Sequence, residues 1–440
     1  MAQAAVIAGL GATGLSVARH LLSRGWQVSV TDTRTQPPGL QALQALQPDI
    51  TLSLGALDPA LLDGVQCVVV SPGLAQSGPF FERAQALGIA VLGDIELFAQ
   101  AHTGRVAAIT GTNGKSTVTS LLAHMAASAG VKVRAGGNLG PPALQLLEGD
   151  AADLYVLELS SYQLETTQSL QVAAAAVLNV TPDHMDRYGD LQHYAAAKAR
   201  IFSHCAVAVV NLDDPLTAAM PLPGQRMTGF SLQQPACDWG LVQQDGQLCL
   251  AQGGVALLPL NQLRIGGLHN AANALAALAL GEALGLPLPA MLDALRSFKG
   301  LPHRAAWVAD VNGVRYINDS KGTNVGATLA AVAGYDGPLL LILGGDGKQQ
   351  DFAPLRAALS GKLRVALLIG RDAALIARTL DGVCAIRHCE SLEQAVQVAA
   401  QVAQPGDTVL LSPACASLDM FRDYSHRGSV FADAVARLAA

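Results

Sequence analysis

A glycine-rich loop between an apolar strand and a helix is the feature that most restricts how this chain can fold. Segment 105–110 has the composition of a buried strand, 111–117 reads Gly-Thr-Asn-Gly-Lys-Ser-Thr, and 117–128 has the composition of a helix. In such a loop, successive backbone N–H groups and the N-terminus of the following helix point positive charge at a polyphosphate. The order of strand, loop and helix therefore predicts an α/β fold that binds a nucleotide at this loop.

Two side chains of the loop are predicted to take part in the chemistry of ATP. Lys115 can reach the terminal phosphates, and the hydroxyl of Ser116 can bind Mg²⁺. The loop departs from the general G-x-x-x-x-G-K-[ST] pattern because Ile109 occupies the first glycine position, and a chance Gly-Lys turn is the alternative interpretation. The residues predicted to bind ATP here are Gly111, Thr112, Asn113, Gly114, Lys115, Ser116 and Thr117.

Strands and helices alternate on both sides of this loop. Before it, apolar strands are predicted at 4–8, 26–30, 67–70 and 89–92; after residue 300, they are predicted at 314–317, 339–343, 365–369 and 408–411. The Gln- and Gly-rich stretch 221–260 predicts a small antiparallel patch. For 440 residues, three consecutive α/β domains are the simplest organisation. They are a Rossmann-like N-terminal domain at 1–93, a central P-loop ATPase-like domain with a mostly parallel sheet at 94–299, and a C-terminal Rossmann-like domain at 300–440.

Composition narrows the partners and the compartment. With a formal net charge of −6, nucleic acid and anionic membranes are not expected partners, although a local basic site is compatible with this charge. The seven cysteines lack C-x-x-C spacing, which suits reduced thiols. The first residues lack a signal-peptide pattern and no apolar run reaches membrane-spanning length. We therefore expect a cytoplasmic protein without membrane insertion.

Three further polar residues are candidate metal ligands. Glu158 ends the apolar strand predicted at 154–159, so its carboxylate is expected beside the phosphate loop at the carboxyl edge of the sheet. His184 lies just past the end of the strand predicted at 172–178, and Lys198 is the main polar residue of an alanine-rich helix. A surface carboxylate, an ordinary loop histidine and a solvated helix lysine are the corresponding alternatives.

The first glycine turn gives a weaker signal. Gly9-x-Gly11-x-x-Gly14 follows a strand, and Asp32 comes about twenty residues later, which fits the dinucleotide-binding pattern. Taken alone, this turn predicts NAD. However, a glycine turn of this kind serves any nucleotide diphosphate, and the segment 31–34 offers both hydrogen-bond acceptors and a cation.

Polar turns follow several strands of the C-terminal part. They are His303-Arg304, the segment 318–324, the segment 344–348 and the segment 412–419. Polar, glycine- or serine-rich turns at the carboxyl ends of neighbouring strands are typical of one edge of a binding site. Ordinary loop chemistry explains any single turn but explains the whole set poorly.

Together these residues resemble the Mur ligase family of peptidoglycan synthesis over essentially the whole chain. The Asp-Asn-Pro-Arg motif of the family member that adds the third amino acid is absent. The resemblance rests on Gly9-Leu10-Gly11, Asp32-Thr33-Arg34, Ser71-Pro72-Gly73, 111–117, Gly137-Asn138, Glu158-Leu159-Ser160-Ser161, Asp183-His184, Lys198, Gly267-Leu268-His269-Asn270, Leu301-Pro302-His303-Arg304, Asn318-Asp319-Ser320-Lys321 and 411–419.

The resemblance implies an ATP-dependent amide ligase. In the family, ATP converts a substrate carboxylate to an acyl phosphate, which the amine of an incoming amino acid attacks. The implied substrates are UDP-N-acetylmuramoyl-L-alanine and D-glutamate, and the implied assembly is a monomer. Ser116 and Glu158 would hold one Mg²⁺, and Glu158, His184 and a carbamate formed from CO₂ on Lys198 would hold a second; Mn²⁺ could replace Mg²⁺. Lys115, Glu158, His184 and Lys198 would be the catalytic residues.

The resemblance also implies the remaining contacts. The UDP-linked substrate would be held by Thr13, Asp32, Thr33, Arg34, Ser71, Gly73, Asn138 and His184. Adenosine would be held by Asn270, Arg304 and Asp319. The amino acid would be held by Thr323, Lys348, Ser417, Leu418 and Tyr424, the last standing where the family often has Phe. The resemblance also implies that the C-terminal domain swings against the central one when ligands bind, and we expect this here because its site residues must reach the γ-phosphate.

Four alternatives stay open from the sequence. The amino acid could be L-glutamate, because chirality depends on fine placement around Lys348 and Ser417. A ligase similar to folylpolyglutamate synthetase would leave the UDP end, 32–34, without a purpose. A nicotinamide dehydrogenase would leave the phosphate loop and Glu158 unexplained. A non-catalytic nucleotide-binding regulator would not need the candidate metal ligands.

Overall fold

The computed structural model describes residues 3–335 and 337–439. Strands of this described part form three sheets, with five, nine and six strands in order along the chain. We name the corresponding parts the N-terminal, central and C-terminal units. The α/β class, with consecutive units and mostly parallel sheets, is confirmed, whereas the division after residues 93 and 299 stays a prediction. Within residues 3–335 and 337–439, every helix is too short or too polar to span a membrane.

The N-terminal unit is a parallel sheet with strand order β3-β2-β1-β4-β5. Both faces of β1 are covered, since Ala5 and Ile7 belong to one apolar cluster and Val6 and Ala8 to another. This explains why the strand is apolar at every position rather than at alternate positions. Its elements are β1 (Ala4–Ala8), α1 (Ala12–Ser23), β2 (Gln27–Asp32), α2 (Leu40–Leu46), β3 (Thr51–Leu54), β4 (Cys67–Val70), α3 (Pro79–Ala86) and β5 (Ala90–Leu92).

The central unit has the strand order β14-β13-β12-β11-β10-β9-β6-β8-β7. The strands from β11 to β7 in this order, which include β6, pair in parallel. Strands β12 to β14 form the antiparallel patch predicted within 221–260. Helix α4 (Asp94–Ala101) precedes this sheet. The other elements are β6 (Arg105–Thr110), α5 (Lys115–Ser128), β7 (Val133–Gly137), β8 (Leu154–Glu158), α6 (Ser161–Glu165), β9 (Ala174–Val177), α7 (Met185–Tyr188), α8 (Leu191–Ala199), β10 (Ala208–Asn211), α9 (Pro215–Ala218), β11 (Met227–Phe230), β12 (Trp239–Gln244), β13 (Gln247–Gln252), β14 (Val255–Pro259), α10 (Leu268–Ala283) and α11 (Leu288–Ser297).

The C-terminal unit has the strand order β15-β16-β20-β17-β18-β19. Only the β15–β16 pair of this sheet, within the described residues, is antiparallel; the other strand pairs are parallel. The elements are β15 (Ala306–Val311), β16 (Val314–Asn318), α12 (Val325–Ala333), β17 (Leu339–Gly344), α13 (Ala353–Leu359), β18 (Leu363–Ile369), α14 (Ala373–Thr379), β19 (Ala385–His388), α15 (Leu392–Val402), β20 (Thr408–Leu411) and α16 (Tyr424–Ala439).

One apolar cluster joins the N-terminal unit to the central unit. It runs from Ile7 and Leu21 through Phe98 of α4 to Tyr155 and Ile201. Because α4 contributes to this shared cluster, the two units have a common apolar core. The candidate site lies on the polar side of this arrangement, where the carboxyl ends of β6, β8 and β9 meet.

Candidate active site

The phosphate loop begins directly after β6 and ends in the first turn of α5, as predicted. Gly114, the residue before α5, has a φ of +84°, and a Cβ there would lie 2.4 Å from Oδ1 of Asn273. Only glycine fits this left-handed and crowded position without strain. The Nζ atom of Lys115 donates hydrogen bonds of 2.8 Å to the carbonyl oxygens of both Gly111 and Thr112. The lysine side chain thus bonds to the backbone of its own loop.

A second strand end fixes the shape of the loop. The Asn179 side chain accepts from the Asn113 backbone N–H at 2.8 Å and donates to the Asn113 carbonyl oxygen at 3.1 Å. The Thr112 N–H donates to the Asn179 carbonyl oxygen at 2.9 Å, and the Thr112 hydroxyl donates to the Thr181 carbonyl oxygen at 3.1 Å. The segment after β9 therefore holds the backbone N–H groups of the loop in place.

Glu158 is the buried carboxylate predicted at the end of β8. Its side chain is only 2% exposed, and its Oε1 atom accepts a 2.7 Å hydrogen bond from Asn138. Its Oε2 atom is buried and has no hydrogen-bond partner within residues 3–335 and 337–439. An ionised oxygen in this position is costly unless a cation or a donor binds it. Glu158 thus offers one carboxylate oxygen to a ligand in the cavity.

His184 lies in the same cavity and has an unusual backbone. Its φ of +57° is left-handed, and it immediately precedes the single turn α7. Burial lowers the pKa of the imidazole below its usual 6.5. The charge of Asp183 raises this pKa, whereas the positive charges of the nearby Lys348, Lys115 and Lys198 lower it further. At neutral pH the ring is therefore neutral, which is the form that binds a metal ion.

Lys198 is buried, unlike the solvated helix lysine that was the alternative. It is 1% exposed, and its Nζ atom donates to the carbonyl oxygen of Gly111 at 2.9 Å. The same atom lies 4.3 Å from the ring centroid of Tyr194. Burial, with repulsion from Lys115, holds the pKa of the Lys198 ammonium well below its usual value. The amine is therefore more often neutral than that of an exposed lysine.

These donors fit a hard divalent cation in part. The Ser116 hydroxyl, the Glu158 carboxylate and the His184 imidazole line one cavity, together with Lys198. Oxygen donors suit Mg²⁺, but a lysine amine is not among its usual ligands. In the described part of the chain, no three His, Cys, Asp or Glu side chains cluster closely enough to bind a metal by themselves. The side chains as they stand therefore offer a hydroxyl, a carboxylate and an imidazole to such a cation.

An adjoining cavity extends from the phosphate loop toward α10 and the C-terminal unit. Asn270, Arg304 and Asp319, the predicted adenosine contacts, all line it, as do Asn273 and Lys321. Burial raises the pKa of Asp319 to about 6, against a hydrogen bond from Ser412 and the charge of Arg304. The three adenosine candidates are therefore brought together beside the loop.

The C-terminal unit touches the central unit directly at the site. The Arg304 guanidinium donates to the Ser116 hydroxyl at 2.7 Å, and Asn324 exchanges side-chain hydrogen bonds of 3.2 and 3.3 Å with Asn113. Lys348 forms an ion pair with Asp183, which also accepts from Asn324 at 3.2 Å. The two units are thus in contact through polar side chains that ligands could also use.

The predicted amino-acid contacts divide into two groups. Thr323 and Lys348 line the cavity that contains Lys198, whereas Ser417, Leu418 and Tyr424 do not border it in the described structure. Ser417 is buried, and Leu418 is 72% exposed. The structure therefore places two of these five residues next to the candidate metal ligands.

The predicted UDP contacts gather at the carboxyl edge of the N-terminal sheet. Asp32 is buried, and it accepts from the Leu10 N–H at 2.7 Å and from the Arg34 guanidinium at 2.7 and 2.9 Å. Burial raises the pKa of this carboxyl, but the hydrogen bonds from Arg34 and Leu10 outweigh it and lower the pKa to about 2. The Ser71 hydroxyl donates to the Gly9 carbonyl oxygen at 3.0 Å.

The other members of this group differ in accessibility. Thr33 and Gly73 are exposed, the side chain of Arg34 is 50% exposed, and Thr13 lies half-buried in the first turn of α1. Asp32 therefore supports the glycine turn and orients Arg34, while the more accessible groups face outward. Asn138, which is predicted to contact the same substrate, lies instead beside Glu158. It lines the cavity that also contains His184 and Lys198, which we name the central cavity.

Several residues of the site were not assigned from the sequence. Asp183, Tyr194, Asn324 and Lys321 all line the central cavity. Asp183 and Lys321 stand in motifs that already indicated a site, so their position beside other polar residues was an available signal. Asn324 also ends the polar segment 318–324 that indicated a site, but its contact with the central unit could not be predicted from sequence spacing. The same holds for the position of Tyr194, which depends on the packing of α8.

Fold and site together define an α/β nucleotide-binding protein with a phosphate loop, a buried carboxylate and a neighbouring unit closing over them. Three family models match the chain: the N-terminal domain of the MurD-like Mur ligases at 3–93, the Mur ligase middle domain at 109–281, and the glutamate ligase domain of Mur ligases at 303–415. The chain belongs to the Mur ligase family, which confirms the resemblance.

Full-length relatives carry one name. A protein of Nitrosococcus oceani is 53% identical over 99% of this chain and 97% of its own length, and one of Methylococcus capsulatus is 49% identical over 99% and 95%. Both are named UDP-N-acetylmuramoylalanine–D-glutamate ligase.

Solved structures share the fold at low sequence identity. The UDP-N-acetylmuramate-alanine ligase MurC of Thermotoga maritima has a TM-score of 0.65 at 18% identity, covering 99% of this chain and all (100%) of that chain. The MurF ligase of the same organism, solved with ADP, has a TM-score of 0.61 at 18% identity, covering 86% of this chain and 91% of that chain. E. coli FolC, also solved with ADP, has a TM-score of 0.59 at 20% identity, covering 79% and 94%.

Proposed function

We propose that this protein is an ATP-dependent ligase that joins D-glutamate to UDP-N-acetylmuramoyl-L-alanine in peptidoglycan synthesis. The observation that carries the proposal is the 53% identity, over nearly the full length of both chains, to a relative named for this reaction. We further propose that it acts in the cytoplasm as a monomer.

The reaction would proceed through an acyl phosphate. A carboxylate oxygen of UDP-N-acetylmuramoyl-L-alanine attacks the γ-phosphorus of ATP, and ADP leaves. The amine of D-glutamate then attacks the acyl carbon, loses a proton, and expels inorganic phosphate as the amide forms. Because both reactants of the first step are anions, the protein must supply positive charge and fixed positions. Lys115 and the N–H groups of its loop are suited to the phosphates.

Bound Mg²⁺ would neutralise phosphate charge and align the reacting oxygens. Ser116 and Glu158 are suited to one ion, and Glu158, His184 and a carbamylated Lys198 to another, with Mn²⁺ as a replacement. The Oε2 atom of Glu158 supports this assignment, because it is a buried carboxylate oxygen without a hydrogen-bond partner among the described residues. Arg304 now bonds the Ser116 hydroxyl, so it would have to release that oxygen when an ion binds there.

Carbamylation of Lys198 would supply the missing oxygen ligand. The neutral amine nitrogen attacks the carbon of CO₂, a C–N bond forms, and a proton is lost to leave a carbamate anion. Burial and a lowered pKa favour the neutral amine that this step needs. An added negative charge would also be balanced by Lys115, which stands nearby and now opposes the ammonium of Lys198.

The remaining substrate contacts follow the same proposal. The UDP end would bind the N-terminal unit through Thr13, Asp32, Thr33, Arg34, Ser71 and Gly73, and Asn138 with His184 would contact the sugar-peptide end. Adenosine would bind Asn270, Arg304 and Asp319. D-Glutamate would bind Thr323, Lys348, Ser417, Leu418 and Tyr424, of which Lys348 can pair with a carboxylate.

Phosphate release tests the proposal directly. The full-length protein is incubated with ATP, Mg²⁺ and UDP-N-acetylmuramoyl-L-alanine, and with D-glutamate, L-glutamate or D-aspartate in turn. We expect release only with D-glutamate, with the dipeptide product detected by mass spectrometry, and no release from the Lys115→Ala variant. Equal or greater release with L-glutamate would identify the stereochemical variant, and no stimulation by any of the three would refute the proposal.

The alternatives have less support. The alternative that the protein is a ligase similar to folylpolyglutamate synthetase rests on the shared fold alone. The match of residues 3–93 to a MurD-like N-terminal domain favours a UDP-linked substrate instead. A nicotinamide dehydrogenase would be detected by a change in NADH fluorescence on binding, which we do not expect.

A further inference from the structure

The short helix that follows His184 needs an external support. Helix α7 (Met185–Tyr188) is one turn long, and each of its residues keeps some solvent exposure. His184 itself has the left-handed φ of +57°, which a non-glycine residue adopts only when its surroundings hold it there. A single, partly exposed turn cannot provide that constraint by its own hydrogen bonds.

The carboxylate of Glu165 forms hydrogen bonds with the last two residues of this turn. Its Oε2 atom accepts from the Arg187 guanidinium at 2.6 Å, and its Oε1 atom accepts from the Tyr188 hydroxyl at 2.5 Å. Both oxygens of one side chain are therefore bonded to the last two residues of α7. The side chains of the ion pair are about one-quarter exposed, so bulk water screens them less than it would a surface pair.

Aromatic packing connects this hydrogen-bonded turn to the imidazole of His184. The Arg187 guanidinium lies 4.5 Å from the ring centroid of Tyr162, and the Tyr162 ring stacks on that of Tyr188 with centroids 5.9 Å apart. The edge of the Tyr162 ring meets His184 with centroids 5.2 Å apart. The group of Glu165, Tyr162, Arg187 and Tyr188 thus fixes both the backbone and the ring of His184.

Helix α6 (Ser161–Glu165), which carries Glu165 and Tyr162, starts from the other metal-ligand candidate. Only Leu159 and Ser160 separate it from Glu158, and Ser160 caps it reciprocally with Gln163 through bonds of 3.1 and 3.2 Å. Glu158 precedes the start of α6, and Glu165 at its end holds the turn after His184. One five-residue helix therefore sets the position of His184 relative to Glu158.

We propose that Glu165 is a positioning residue of the metal site, holding His184 at its working distance from Glu158 through Arg187 and Tyr188. The inference rests on the proposed function only in assuming that Glu158 and His184 share a divalent cation. Glu165 would touch neither the cation nor the substrates.

Direct Mn²⁺ binding to the full-length protein tests this inference without relying on ligase activity. Bound and free Mn²⁺ are distinguished by electron paramagnetic resonance in the presence of a non-hydrolysable ATP analogue and bicarbonate. We expect Glu165→Ala to weaken Mn²⁺ binding by about tenfold or more, the usual effect of removing a group that orients a metal ligand. Glu165→Gln, which can still accept one of the two hydrogen bonds, should recover most of the affinity.

A matched control and a second variant keep the test decisive. Glu82→Ala removes an exposed carboxylate on α3 of the N-terminal unit and should leave Mn²⁺ binding unchanged. Tyr188→Phe removes only the hydroxyl that Glu165 accepts from, and should weaken Mn²⁺ binding by a smaller factor even if Glu165→Ala does not fold. Unchanged Mn²⁺ affinity in folded Glu165→Ala, or in Tyr188→Phe where Glu165→Ala cannot be obtained, would overturn the inference.

Ligase kinetics separate this inference from the proposed function. If the wild type forms the amide, Glu165→Ala should lower kcat while the KM for D-glutamate, whose proposed contacts do not include His184, stays close to that of the wild type. If the wild type shows no ligase activity, the proposed function fails, yet the Mn²⁺ titration still decides whether Glu165 positions a metal ligand.

Discussion

The side-chain nitrogen of Lys198 donates to the carbonyl oxygen of Gly111 at 2.9 Å, so helix α8 is tied to the first residue of the phosphate loop. These residues lie 87 positions apart in the sequence. A change at Lys198 therefore acts on the loop as well as on the candidate metal ligands, and an experiment must separate the two effects.

Replacement of Lys198 by Ala should abolish ligase activity, with kcat reduced by at least about 100-fold, because the proposed metal ligand would be lost. If the lysine acts through a carbamate, added acetate or bicarbonate should partly restore kcat by supplying a carboxylate at the vacated position. Lys132→Ala, which removes a half-exposed lysine on the surface, is the control and should keep wild-type activity. Full activity of Lys198→Ala would refute the metal-ligand role.

Asp94 should make the protein less stable as the pH rises. Burial raises the pKa of this carboxyl from 3.8 to about 6, despite a hydrogen bond from Gln163, so its protonated form is favoured in the folded state. This stabilising contribution is complete below pH 4 and is lost as the pH rises through 6. Relative to wild type, Asp94→Asn should therefore gain about 3 kcal/mol between pH 4 and pH 7. Urea unfolding of both proteins across this range measures the difference, and parallel curves would contradict the prediction.

Two neighbouring glycines of the first turn should respond differently to substitution. A Cβ at Gly14 would lie 1.9 Å from the Gly9 carbonyl oxygen, whereas a Cβ at Gly11 would meet no atom of the described chain within 4 Å. Gly14→Ala should thus lower the free energy of unfolding by about 3 kcal/mol, the upper end of the usual cost of overpacking. Gly11→Ala should leave it nearly unchanged. Thermal unfolding of the two variants provides the comparison, and equal losses would show that crowding is not the cause.

Ligands should draw the C-terminal unit onto the central unit. At the site the two units meet through exchangeable polar contacts: the hydrogen bonds of Arg304 with Ser116 and of Asn324 with Asn113 and Asp183, and the ion pair of Lys348 with Asp183. Because ligands can replace these contacts, they should hold the units together only weakly without nucleotide. Small-angle X-ray scattering should show a smaller radius of gyration with an ATP analogue and UDP-N-acetylmuramoyl-L-alanine than without them. Asn324→Ala should shift the ligand-free protein further toward extended forms. Identical scattering with and without ligands would argue against this movement.

Local patterns in the sequence were enough to predict much of the fold and part of the site. The strands before Gly111, Glu158 and Ser71 are short apolar runs that end in polar or glycine residues, and such runs are typical of buried parallel strands. The same pattern predicted where Glu158 would lie. Four strands were missed: β3, β7, β15 and β19. Each lies at the edge of its sheet and is incompletely buried, which gives no continuous apolar run.

Contacts between distant elements could not be predicted in the same way. The hydrogen bond from Arg304 to Ser116 and the ion pair of Lys348 with Asp183 depend on how the C-terminal unit sits against the central one. The ion pair of Glu165 with Arg187 depends on how the short helices α6 and α7 lie relative to each other. Sequence spacing reports neighbours along one element, whereas these contacts are set by the packing of several elements.

The contacts of Lys115 with its own loop set a condition on any nucleotide that binds there. Its ammonium already bonds two carbonyl oxygens of the loop, so an incoming nucleotide competes with the protein for this cation. If a nucleotide binds at this loop, its phosphate oxygens must take the place of both carbonyl oxygens to engage the full charge of Lys115. A triphosphate offers more negative oxygens for this exchange than a monophosphate does.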